Sequence, residues 1–202
     1  MQYGAKGARF APFAKDYDPS KTPTPTYDTT KLVSLSPLAR VDDSPTFNTV
    51  KAYGDDHVTG QMSEFKECPI TVEVNDLPNE TAAVVLGCEL DESTKELNQT
   101  SNDSAPYGGF AYHIHVMLPD QNNKKVWRSR FYPQVQAMMQ GVSYATKGDS
   151  IVLTNERLMM NAIAAKDENW VLKSPDFDTE DEAVAWENAK YGVTGTQTTQ
   201  AT

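Results

Sequence analysis

The chain has 202 residues, 39% hydrophobic, with 12 Pro, and a formal net charge of -10. That length can bury one good core, and the low apolar content leaves long surface segments around it. Such acidity argues against a binder of nucleic acid, which needs clustered Lys and Arg to neutralise phosphates. Cys68 and Cys88 are too few for a disulfide framework and are expected as free thiols. There is no basic-then-apolar leader and no run of about 18 apolar residues. The expectation is a chain made in a cytoplasm without a signal peptide or membrane insertion.

Residues 1–30 carry Gly4, Gly7, Pro12, Pro19, Pro23 and Pro25 among scattered aromatics, and read as an extended N-terminal arm that orders on a neighbour. Gly4-Ala-Lys-Gly7 is not a phosphate loop, since the Gly-Lys-Ser/Thr ending is missing. A short strand is expected at 32–35. Residues 40–62 hold two turn-forming clusters, around Asp42-Asp43-Ser44-Pro45 and Gly54-Asp55-Asp56, and read as a long hairpin loop leaving the core or as a disordered insertion. Ile70, Val72 and Val74 alternate with polar residues, which predicts a half-buried strand.

Pro78 and Gly87 bracket a helix over about 78–87 whose consecutive apolar residues should be sunk in the core. Residues 91–104 are polar and without period, and read as a mobile loop. In 110–118 the strand signal is clearest: Phe110, Tyr112, Ile114, Val116 and Leu118 share one face, with Ala111, His113, His115 and Met117 on the other. A turn at 120–124 returns the chain into 126–136 as an antiparallel hairpin. Pro133 lacks a ladder donor, so that second strand should lie at an edge or be open at that point. A turn at 146–150 and a strand at 151–153 follow. Residues 155–165 fit helix or strand and are taken as strand. Thr179 and Glu182 have capping-box spacing for a C-terminal helix over about 179–191, with Ala183, Trp186 and Ala189 or Lys190 on the buried stripe and Trp186 its anchor. Residues 193–202 read as a flexible C-terminal tail.

Chemistry is thinly signalled. His113 and His115 have a usable ligand spacing, but partners such as His57, Asp55 or a cysteine are distant in sequence, so both are read as structural or interface residues. No G-x-S-x-G or H-E-x-x-H occurs. The clusters Asp55-Asp56 and Glu180-Asp181-Glu182 are explained as turn and helix cap, though a hydrolase built on a carboxylate pair stays open. Lys147-Gly148-Asp149 reads as a turn. The sequons at Asn79, Asn98 and Asn102 matter only in a secreted chain. Catalytic, cofactor-binding and metal residues are therefore expected to be none. Trp127, Trp170 and Trp186 could line a carbohydrate groove, so a carbohydrate-binding or host-recognition module is the alternative reading.

The order of VKAYGDDHV at 50–58, the strand over 65–76 leading into Leu77-Pro78-Asn79 and a helix ending at Gly87, RFYPQV at 130–135, TKGDS at 146–150 and FDTEDEAVAW at 177–186 resembles the major tail protein of long-tailed, non-contractile phages. The resemblance runs over about residues 31–192, without the immunoglobulin-like domain that some members carry, and with Gly54 where an alanine-like residue is more usual. It implies a mainly β (α+β) fold, an antiparallel sandwich or barrel-like sheet with a flanking helix, forming one tail tube domain. It also implies a structural virion protein, not an enzyme, that stacks as hexameric rings into a tube through which DNA passes without specific binding. The partners implied are copies of the chain itself, with tape measure, tail tip and tail terminator proteins. The place implied is the virion tail, assembled in the host cytoplasm.

Overall fold

The computed structural model describes residues 1–54, 57–139, 141 and 155–193. The expected turn at 146–150, the strand at 151–153, Asp55-Asp56 and nearly all of the 193–202 tail lie outside the described residues. The fold is mainly antiparallel β with two helices, as expected. One large sheet runs in the order β2 (Val33–Ser34), β1 (Gln2–Pro12), β8 (Tyr107–Leu118), β9 (Lys124–Met139), β10 (Glu156–Ala162), β5 (His57–Val74), β3 (Leu38–Asp43). Two short partners attach to it: β4 (Thr46–Gly54) on β5 and β11 (Leu172–Lys173) on β9. The sheet curls as a half-barrel, so that β3 comes back beside β1.

Alternation sorts neighbouring residues to opposite faces. Phe10, Phe110 and Tyr132 join Ile70, Val72, Leu158 and Met160 in the inner core, which α1 (Asn79–Leu86) closes with Ala82, Val85 and Leu86. Their neighbours Ala11, Ala111 and Phe131 face outward and are covered by Tyr27 and by Tyr191 of α2 (Glu180–Tyr191). Both helices end where the sequence places their stops, with Gly87 and Gly192 in left-handed C-caps. The Thr179–Glu182 capping box forms in full.

Four expectations need correction. Residues 1–30 are no free arm: β1 pairs with β8 from Gln2↔Val116 to Pro12↔Gly108, and Ala8, Phe10 and Ala11 are fully buried. Two register shifts, at Tyr3/Ala5 and Lys6/Arg9, break the period of two, which is why the strand does not show in the sequence pattern. The second is the edge position offered for β9: the strand lies inside the sheet, and the other alternative, a ladder open at Pro133, is the one present. Pro133 is tolerated because it falls between the β11 pairing at Arg130 and Phe131 and the β10 pairing at Val135, opposite an irregularity in β8. The third is residues 91–104, where β7 (Leu97–Asn98) pairs back on β6 (Glu89–Leu90) just before the segment, with the turn between them tied by the Asp91 carboxylate to Ser93 and Thr94. The fourth is the buried stripe of α2, described with the site below.

Gly108 is needed for the close approach of β1 to β8. A Cβ there would sit 2.3 Å from the Ala11 carbonyl oxygen and 2.6 Å from the Phe10 ring. Neither can retreat, because Pro12 is paired with Gly108 and Phe10 is buried. Gly108→Ala is expected to destabilise by about 1–3 kcal/mol, the usual cost of overpacking. An unchanged urea midpoint would mean that β1 shifts freely on β8.

Candidate functional site

Two features stand apart from ordinary packing. The first is the hairpin of β4 and the outer half of β5. Beyond Cys68, β5 leaves β10 and, among the described residues, pairs with β4, from Thr46↔Glu67 to Gly54↔His57. The hairpin that the sequence allowed over 40–62 is thus present from Thr46 onward, while 40–43 belong to β3 in the large sheet. At its base Phe47 meets Phe65, and Phe65 stacks on Trp170 at 4.4 Å between ring centroids. Further out the ribbon is bare. Phe47, Val50, Tyr53 and Met62 are 53–70% exposed. Val50 and Met62 are a cross-strand pair on one face, whereas Phe47 and Tyr53, each three residues from Val50, lie on the other. A two-stranded ribbon is at best marginal in water, and one with apolar side chains on both faces gains stability only when something covers them.

The second feature is a buried polar cluster where α2 lies on the outer face of β1, β8 and β9. Glu187 is fully buried and accepts from Arg9 Nη2 at 2.5 Å and from Ser129 Oγ at 2.8 Å. His113 Nδ1 lies 3.0 Å from Glu187 Oε1, and its Nε2 lies 3.3 Å from Glu180 Oε1. Arg9 Nη1 also donates to Asn188 at 2.6 Å. His113 fills the hollow of the β1 irregularity: Gly7 has φ +62, and a Cβ on it would fall 2.1 Å from the imidazole. The cluster holds a serine, a histidine and a carboxylate, but His113, Ser129 and Glu187 are each at most 2% exposed, and both imidazole nitrogens already face carboxylates. Such a set fastens a helix. It offers no nucleophile to a substrate.

No protein-family model matches the chain, and no curated protein matches it.

The cluster also corrects the stripe on α2. Its buried residues are Ala183, Glu187 and Tyr191, spaced by four, while Trp186 is half-buried with Lys190 over its ring. Tyr191 is the aromatic anchor, donating to the carbonyls of Arg9 at 2.8 Å and Gly109 at 3.3 Å. Complete burial drives its phenol pKa well above the ordinary value.

His113 and His115 are not brought together on a ligand. His113 belongs to the cluster, and His115 lies between Tyr3 and Trp127. Burial, with Lys6 next in effect, lowers the His115 pKa. Among the described residues no group of three His, Cys, Asp or Glu could hold a metal ion. The tryptophans are each engaged differently: Trp127 with the two histidines, Trp170 with Phe65 and Tyr132, Trp186 beside the outer core. Cys68 and Cys88 are free, and burial pushes the Cys68 thiol up to about 11.

On the inner face Asp43 accepts from the Arg130 guanidinium and from the Tyr132 hydroxyl, the latter at 2.6 Å. This ties the root of the hairpin to the middle of β9. Sequence reading missed both the outer cluster and this one, since each joins residues more than 50 positions apart.

Proposed function

We propose that the chain is a self-assembling structural subunit, the tube protein of a long, non-contractile phage tail, whose copies close into hexameric rings and stack into a conduit for DNA. The observation that carries this reading is the bare β4–β5 hairpin, anchored firmly at its root and apolar on both faces. An element so built is finished by another protein surface, and copies of the same chain are the partner that an abundant structural polymer supplies. Exposed Tyr107 and Met138 on β8 and β9 give a second, separate apolar spot. Two different patches on one subunit suit head-to-tail contacts, which close into rings or run on as tubes. The net charge of -10 suits a wall past which DNA must slide without sticking.

On this reading the role is structural and not catalytic, and tape measure, tail tip and terminator proteins meet the tube at its inside and its ends. Negative-stain micrographs of the purified chain at rising concentration, alone and with tail-tip proteins, are expected to contain rings or tubes. Compact monomers under every condition would overturn the proposal.

A further inference from the structure

The outer polar cluster joins two elements that are far apart in the chain but share one surface. β1 and α2 are the first and last regular elements among the described residues, and each fastens the other. From β1, Arg9 reaches Glu187 and Asn188, and Lys6 approaches Glu180 at 3.5 Å. From α2, the Tyr191 hydroxyl donates to the Arg9 carbonyl. The imidazole of His113 sits between them, with the Gly7 irregularity of β1 wrapped around it on one side and both α2 carboxylates on the other. Releasing β1 alone takes the Arg9 guanidinium from Glu187, and releasing α2 alone takes Glu187 and Asn188 from Arg9, which makes separate release costly. Toward the inner core β1 presents Ala8 and Phe10, apolar side chains that pack in the cluster that α1 closes with residues of β5 and β10.

We propose that β1 and α2 leave the sheet together, as one strap pinned by the Glu187 carboxylate, in an opening separate from that of β5 and β10. The strand uncovered by that opening is β8, whose edge β1 otherwise occupies along most of its length. The inference holds whether or not the chain builds tubes, because it concerns the single subunit.

Hydrogen exchange followed by mass spectrometry on the full chain tests it. In low urea the slowest amides of 2–12 and 180–191 are expected to share one opening equilibrium, distinct from that of 70–74 and 156–162. Glu187→Gln on α2 and Arg9→Gln on β1 should each speed exchange in both elements by the same factor, tenfold or more, with the reference strands unchanged, since coupling between two sites is reciprocal. Tyr191→Phe, which removes a single hydroxyl, gives the same readout if either charge variant fails to fold. Acceleration confined to the substituted element would overturn the proposal. Separate urea dependences for β1 and α2 in the unaltered chain would overturn it as well, as would all strands opening together.

Discussion

Glu187→Ala is expected to cost about 3–5 kcal/mol of folding stability, the usual penalty for breaking a buried ion pair by removing one partner. The carboxylate is fully buried and the Arg9 side chain only 13% exposed, so the stranded guanidinium cannot recover its solvation by a small movement. Ser129 loses its closer acceptor and is left with the Ala183 carbonyl at 3.4 Å. His113 loses the group at Nδ1 and keeps only Glu180 at Nε2. Substitution by Gln, which retains shape and one acceptor, should cost clearly less. Trp186→Ala is the control. Half-buried and outside the cluster, it should cost roughly 1–2 kcal/mol from lost apolar area. Urea denaturation of the three variants ranks them. If Trp186→Ala proves the most damaging, then the aromatic stripe expected from sequence, and not the buried carboxylate, holds the helix down.

That ranking turns on a feature that sequence pattern could not reveal. Where local physics decides, the chain is legible. The alternation over 110–118, the Pro78 to Gly87 bracket and the Thr179–Glu182 spacing each specify an element by themselves, and each element is present. The hairpin too is readable, because two turn clusters flank its first strand, β4. β1 is hidden because Gly4 and Gly7 take positive φ at its irregularities and shift the alternation twice within eleven residues. Glu187 is hidden because a glutamate on a helix rich in acidic residues reads as a solvated face. Its partners lie 58 to 178 residues away. One local sign was available: Ala183, Glu187 and Tyr191 recur at intervals of four, and a tyrosine at the last turn marks a face as well as a stop. For the hairpin, sequence gives the strands but not the exposure, and exposure is what makes it a candidate site.

If the chain assembles as proposed, replacing residues 49–63 by an Asn-Gly turn, so that Asn48 and Glu64 close a short hairpin, should leave the chain folded and abolish rings and tubes. The cut keeps the Phe47–Phe65 contact, the Phe65–Trp170 stack and the Asp43 links to Arg130 and Tyr132, which together join the root to the core. It discards Val50, Tyr53 and Met62, whose side chains are 65–70% exposed and contribute little to the isolated fold. Asn-Gly supplies the two positive-φ residues that a tight antiparallel turn needs. The melting temperature is expected to stay within a few degrees, while rings and tubes disappear from micrographs under conditions where the full chain forms them. Should the shortened chain fail to fold, the joint change Phe47→Ser, Val50→Ser, Tyr53→Ser and Met62→Ser poses the same question with the backbone intact. Tubes that persist in either variant would assign the joining surface elsewhere, and Tyr107 with Met138 would be the next side chains to change. Folding lost in both would mean that the ribbon stabilises the subunit itself, against its exposure on both faces.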